Sequence, residues 1–484
     1  MLFALFALDN VLVPLFLGKA GIAAMLALVA CVFIVVLARS EVNGCEPREI
    51  SWRTLASCFA IAALLLLLGG EGRFFFANED WQVRDAVLAD MALRPWPFAY
   101  EIGGNEWFLR APLGMYLMPS LVGLGHQTTT DLALLGCNTL IFGLLLTLAA
   151  TLFPAGRARW VALIVFISFS GLDIVGTLLA GVTGDSVSLD HIERWVPPLQ
   201  YSSVITLIFW VPQHAFAGWF CGLLYLLHRR GGATFGSLAA SAPIAAIWSP
   251  LAVIGAVPLI IWAALQAFHQ RTIRWTDVLI PVIALILALP SLSYLAADAQ
   301  RLPSGLQHIR LLSLITFLLL EVAPALWIIY RLGWGGGIGR DAVLLAAAML
   351  AVIPFFHIGA GSDFVMRASI PPLAVVAAAL ATSLYQADLS AHRSTAMVVV
   401  TLLSLGAVTG TTEIARALRL ASAPPPQCSL PTVWYRQTGW SADISSYLAR
   451  AAAMPSPLKP EGETLINPGT DHRLCWARPW KIVR

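Results

Sequence analysis

Apolar residues along this chain come in long unbroken blocks, and the polar residues collect between the blocks instead of alternating with them. Residues 21–38, for example, contain no charged or amide side chain. Blocks of roughly 17 to 23 residues can cross about 30 Å of hydrocarbon as helices, at a rise of about 1.5 Å per residue. Short alternating stretches of the kind that build membrane barrels are absent. The pattern predicts thirteen crossings, at 2–17, 20–38, 54–70, 131–153, 160–180, 207–228, 233–249, 250–267, 276–295, 311–330, 341–357, 370–386 and 396–411. The seventh and eighth are short and meet at Trp248-Ser249-Pro250, where the proline separates them.

Composition agrees. Of 484 residues, 58% are hydrophobic and 12% charged, against about 25% charged in an ordinary soluble domain. The expected fold class is an all-α polytopic membrane protein. A net charge of +3 gives no footprint for nucleic acid. Basic residues then orient the chain. The connections on one side hold Arg39, Arg48, Arg53, Arg157, Arg159, Arg229, Arg230, Arg271, Arg274, Arg331, Arg340 and Arg393. The opposite loops, 71–111, 181–204, 296–310 and 358–369, are longer in total and hold eight basic residues. The first side is expected to be cytoplasmic and to include the N-terminus; the second faces out of a bacterial inner membrane. The first seventeen residues lack a basic start and an Ala-x-Ala site, which predicts a retained span.

Residues 112–125 are apolar enough for a further crossing, but that would carry Arg157 and Arg159 outside and invert every later loop. They are expected to form a re-entrant or interfacial helix on the outer side. This leaves a transmembrane domain over 1–411, with an outer loop over 71–125, and a small periplasmic tail over 412–484. Five of the seven cysteines lie in spans or the inside loop and read as inert apolar residues. Cys428 and Cys475 lie in the tail with Pro424-Pro425-Pro426, Trp434, Trp440, Trp476 and Trp480. On an oxidising side they can form a disulfide, since the tail has little core of its own. The rival reading is two free thiols buried against the membrane domain.

The candidate chemistry lies in the outer loop, from Gly72-Arg73 through Asn78-Glu79-Asp80-Trp81 to Arg110-Ala111-Pro112-Leu113 and Tyr116-Leu117. Phe74 to Phe76, Trp81, Trp96 and Trp107 form an aromatic belt suited to headgroup depth. Over 80–93, Val83, Val87 and Met91 fall on one stripe and Arg84 and Asp85 off it, which predicts an amphipathic helix along the interface. A partly dehydrated carboxylate there, Asp80 or Glu79, can take a proton from an acceptor hydroxyl or amine, and a nearby arginine can hold a phosphate. The same two acids can also simply cap the helix.

This segment resembles the first outer loop of the GT-C superfamily of polyprenyl-phosphate-sugar-dependent glycosyltransferases, which includes protein O-mannosyltransferases and aminoarabinose transferases. Asp80 stands where the first acid of that loop sits, Met91 fits the helix end, Trp96-Pro97 the Trp-Pro-like step and Gly103-Gly104 the turn. Arg110-Ala111-Pro112-Leu113 with Tyr116-Leu117 stands for the Lys-Pro-Pro-Leu-Tyr-Tyr-Leu segment. Three departures stand against it: Trp81 occupies the second acid's place, Ala111 replaces the first proline, and three spans precede the loop where one is usual. The likeness covers about 75 residues. It implies a GT-C-like bundle, a polyprenyl-phosphate-linked sugar as donor, a glycan, lipid or protein as acceptor, inversion at the transferred carbon, and Asp80 as general base with Glu79 as the substitute.

Other polar residues on the same side are candidates for substrate binding. Asp363 and Arg367 can form a local ion pair, or Arg367 can hold donor phosphate with Asp363 orienting it. Arg110 can bind phosphate or snorkel. His214, after Pro212-Gln213, is either functional or a structural histidine, and Tyr116 belongs to the loop segment. Glu321 and Asp173 fall within spans and are expected to face the bundle interior. Asp185, Asp190, His191 and Glu193 could take a divalent cation or the acceptor, although no zinc, Walker A or dinucleotide motif is present. The rival functions are a polymerase or ligase acting on lipid-linked glycans, which would place its key loop late in the chain, and a transporter of such glycans. The latter predicts inverted repeats and discontinuous helices, and no internal repeat is evident.

Overall fold

The computed structural model describes residues 1–45, 49–123, 125–184, 191–334, 336–387, 393–438, 444–467 and 474–483. Arg48, Trp440, Asp185 and Asp190 lie outside the described residues. The apolar blocks are helices because hydrocarbon offers no partner to a backbone N–H or C=O, and a helix satisfies both within itself. Among the described residues five helices are long and apolar enough to cross a membrane alone: Ala20–Gly44, Gln127–Ala150, Pro250–His269, Trp275–Ala296 and Ser394–Arg419. Shorter apolar helices, among them Leu2–Phe16, Trp52–Leu68 and Ile370–Gln386, pack between them.

The thirteen expected crossings are thus not thirteen continuous helices. The block 311–330 is split into Leu311–Glu321 and Ala323–Arg331, bent by 47°. The block 160–180 divides into Arg157–Ile167 and Asp173–Thr183. The block 207–228 breaks into Val204–Trp210 and Pro212–Arg229, because Pro212 has no N–H to continue the first helix and suits the first turn of a second. At Trp248-Ser249-Pro250 the expected separation holds: the Ser249 hydroxyl accepts from the Ala252 N–H and starts helix Pro250–His269.

The bundle closes on an aromatic core in which Phe6 stacks on Phe220, Trp248 meets Phe6 edge-on, and Phe142 stacks on Phe216 and Trp219. Gly114 lets helix Gly114–Val122 approach Trp248, since a Cβ there would lie 2.1 Å from the indole. This helix lies within the segment 112–125, and at nine residues it is too short to cross a bilayer by itself.

The expected tail does not stand apart. Helix Ser394–Arg419 runs through residue 411, and the chain then folds back onto the loop 71–111. Strands Phe98–Ile102 and Asn105–Leu109 form an antiparallel hairpin around Gly103-Gly104. Leu448–Arg450 adds antiparallel to one edge of it and Thr464–Ile466 adds parallel to the other. Cys428 and Cys475 are disulfide-bonded.

This changes the expectation for helix Asp80–Leu93. Its bounds are those predicted, but it does not lie half-exposed along an interface. Arg84, Asp85 and Asp90 are as buried as Val83, Val87 and Met91, because helix Leu430–Thr438 of the tail covers it.

Candidate functional site

The loop is held from three sides. Gly70 and Gly72 have left-handed backbones, and a Cβ on Gly70 would come within 2.5 Å of Ala77, so the chain doubles back tightly after helix Trp52–Leu68. The turn aims Arg73 into a buried network. Its Nε donates to Asp131 Oδ2 at 2.6 Å, its Nη1 to Asp85 Oδ2 at 2.8 Å and to the Pro424 carbonyl at 3.1 Å. Burial pushes the Asp85 carboxyl up to about 6 despite Arg73. Asn78 and Trp81 then both donate to the Phe209 carbonyl, at 2.6 and 2.8 Å. Trp81, in the place where the resemblance expects a second acid, is a buried strut.

The two candidate bases part company here. Glu79 is at the N-cap but its side chain makes no capping bond; it pairs with Lys481 of the tail at 2.9 Å, more than half exposed. Asp80, in the first helical turn and 46% exposed, turns to Arg84, whose Nη2 lies 3.7 Å from Asp80 Oδ2. Arg84 is 2% exposed, and its Nε and Nη1 have no hydrogen-bond partner among the described residues. Tyr116 and Tyr447 stand against its guanidinium.

Asp363 and Arg367, on the short helix Asp363–Ala368, reach the same place. They form the expected ion pair at 2.9 Å, and Arg367 Nε is buried without a partner among the described residues. Burial raises the Asp363 carboxyl, Arg367 opposes that, and the Asp80 and Arg84 charges both act on it. His214 lies within reach of the Arg367 and Arg84 charges. It is buried, with Nδ1 at 2.9 Å from the Ser249 hydroxyl and Nε2 at 3.2 Å from Gln213 Nε2. Asp80, Asp363, Arg367, Tyr116 and His214 therefore converge from four separate parts of the chain.

Arg110 does not join them. Its backbone N–H donates to the Tyr447 carbonyl at 2.6 Å and its guanidinium to the Ser445 carbonyl, so it fastens the tail. Two residues that sequence reasoning passed over do join. Arg84 was legible only as a charge off the apolar stripe, and Tyr447 gave no local signal at all. The arrangement offers a solvent-reachable carboxylate beside Arg84 and near Arg367, with N–H groups that have no partner among the described residues, which can accept a proton and hold an anion within one region.

Of the candidate cation loop, His191 stacks on Trp210 at 4.4 Å, and burial, then Arg194 and Arg416, lower it to about 3. Glu193 accepts from the Ser203 N–H at 2.8 Å and from Gln200 at 3.1 Å. Among the described residues no group of three or more His, Cys, Asp or Glu side chains could hold a metal ion. Deeper in the bundle Asp173 accepts from Ser170 and Thr409, at 2.9 and 2.8 Å, and Glu321 from Trp195 at 3.0 Å. Both acids face inward, as expected.

Comparison with family models, with curated proteins and with solved structures finds no match to this chain.

Proposed function

We propose that this chain is a membrane glycosyltransferase that moves a sugar from a polyprenyl-phosphate donor to a glycan, lipid or protein acceptor at the outer face of a bacterial inner membrane. The observation that carries the reading is Asp80 paired with Arg84 near the Asp363–Arg367 pair, where Arg84 Nε and Nη1 and Arg367 Nε have no hydrogen-bond partner among the described residues. In this reading Asp80 takes the proton of an acceptor hydroxyl as its oxygen attacks the anomeric carbon from the face opposite the phosphate. The carbon–oxygen bond to the carrier breaks, its electron pair leaves on the polyprenyl phosphate, and the configuration inverts. Arg367 and Arg84 balance the charge of the departing phosphate. Tyr116, Tyr447 and His214 line the same place, and Asp363 orients Arg367. Glu79, paired with Lys481, is the weaker base candidate.

A second reading is transport of a lipid-linked glycan. The bent pair Leu311–Glu321 and Ala323–Arg331, with Glu321 at the break, favours it, because discontinuous helices and intramembrane acids mark transport paths. One experiment separates the two: purified protein in liposomes with polyprenyl-phosphate-linked sugars and candidate acceptors. Sugar transfer that falls about 100- to 10,000-fold in Asp80→Asn, and far less in Glu79→Gln, supports the transferase. Full transfer by Asp80→Asn would sink the base assignment. Donor that crosses the bilayer unconsumed would establish the transporter.

A further inference from the structure

Helix Trp52–Leu68 carries the Asp80 loop beyond one end; around its other end the bundle is open. There it meets Gln127–Ala150, Arg157–Ile167, Pro212–Arg229 and Ile370–Gln386 around an open cleft. The walls are almost wholly apolar, from Leu145, Phe166 and Trp219 to the small side chains Ala374 and Ala378. Polar side chains are few: Thr54, Ser57, the Cys58 thiol and Arg159. Arg159 Nε donates to the Phe153 carbonyl at 3.2 Å and Nη2 to the Glu49 carbonyl at 3.4 Å, and its charge reaches Cys58.

Two further arginines flank the opening. Arg53 precedes Thr54 and Arg157 follows Gly156, both exposed. Among the described residues none of the three arginines has a carboxylate partner. Trp52 and Trp160 stand exposed on the same two helices, 80% and 51%, as aromatic rings do at headgroup depth. An apolar slot under three cations that have no carboxylate partner among the described residues matches one kind of molecule in both shape and charge. Acyl chains fill the slot, and an anionic headgroup meets the arginines.

We propose that this cleft is a binding site for an anionic glycerophospholipid from the leaflet at the Arg157 end of the bundle. Basic pockets between membrane helices are a known form for such sites. A zwitterionic lipid brings its own ammonium against the arginines and gains less. A polyprenyl-phosphate donor seated here would sit a 17-residue helix away from Asp80, about 25 Å, too far for its phosphate to be the one displaced there. The site does not depend on the transferase reading.

The test uses the full chain in nanodiscs of equal dioleoyl-phosphatidylglycerol and dioleoyl-phosphatidylcholine, released into native mass spectrometry. The retained lipid should be enriched several-fold in phosphatidylglycerol. Combined Arg53→Gln, Arg157→Gln and Arg159→Gln should return it to the nanodisc ratio, and Ala378→Phe, which fills the slot from another helix, should lose both lipids. Retention at the nanodisc ratio by the parent overturns the proposal. So does enrichment unchanged in both variants, or preferential retention of a polyprenyl phosphate supplied in equal amount.

Discussion

Replacing Arg73 by methionine keeps the aliphatic stem and removes the guanidinium from between Asp85 and Asp131. Those partners are 8% and 7% exposed and Arg73 is 15% exposed, so water screens little of the loss. Four hydrogen bonds go with the guanidinium, including the one to the Pro424 carbonyl of the tail. Removing one partner of a buried ion pair destabilises by about 3–5 kcal/mol, chiefly through the charge left behind. That origin gives two signatures. Arg73→Met combined with Asp85→Asn and Asp131→Asn should recover most of the loss, because nothing is then left charged and unpaired. The loss should also depend on pH. Asp85 already sits at about 6, raised by burial against the pull of Arg73, and without Arg73 it rises further. A carboxyl whose folded pKa exceeds its unfolded value of about 3.9 contributes stability at low pH that is lost as pH rises through the folded value. The deficit of Arg73→Met should therefore be smaller near pH 5 than near pH 8. Thermal unfolding midpoints of parent, single and triple variants in nanodiscs at both pH values measure this. A single-variant deficit that is the same at both, or that the triple variant does not recover, would refute the reasoning.

Two further outcomes follow from the packing around the site. Asp90 is buried beneath the tail and pushed up to about 6 by burial, against the Leu430 N–H and the Tyr100 hydroxyl. Its stabilisation is present below about 3.9 and is lost as pH rises through about 6, a change worth about 3 kcal/mol. Asp90→Asn should match the parent only below about pH 4 and melt higher near pH 8; a difference independent of pH would contradict the assignment. A Cβ on Gly255 would lie 2.1 Å from the Ala368 carbonyl oxygen, at the end of the short helix carrying Asp363 and Arg367. Gly255→Ala should destabilise by about 1–3 kcal/mol and, on the proposed function, reduce sugar transfer by displacing Arg367. Parent-like melting and transfer would show that this contact yields.

What the sequence determined by itself is what is written locally. Hydrophobic blocks longer than the reach of any soluble core dictated helices, and the change of composition at Asp80 marked a helix that begins and ends at the predicted residues. Asp363 and Arg367, four apart, could be read as a pair because one turn of helix brings them together. The cysteines of the tail could be read as bridgeable, though not as bridged.

Tertiary structure decided the rest. The break at Val322 is followed by Pro324 in the first turn of the second helix, but a proline there marks only a possible helix start and does not set the 47° bend. Strands of three residues, such as Leu448–Arg450 and Thr464–Ile466, are too short to show a period. Their pairing with a hairpin more than 300 residues earlier leaves no mark on either segment. The same return of the tail, with helix Leu430–Thr438, covers Arg84, brings Tyr447 beside it and holds Arg110 at the Ser445 carbonyl. Asp80 was legible as an acid at a helix start. Its company was not, because a guanidinium's partners are set by which distant backbone comes to cover it.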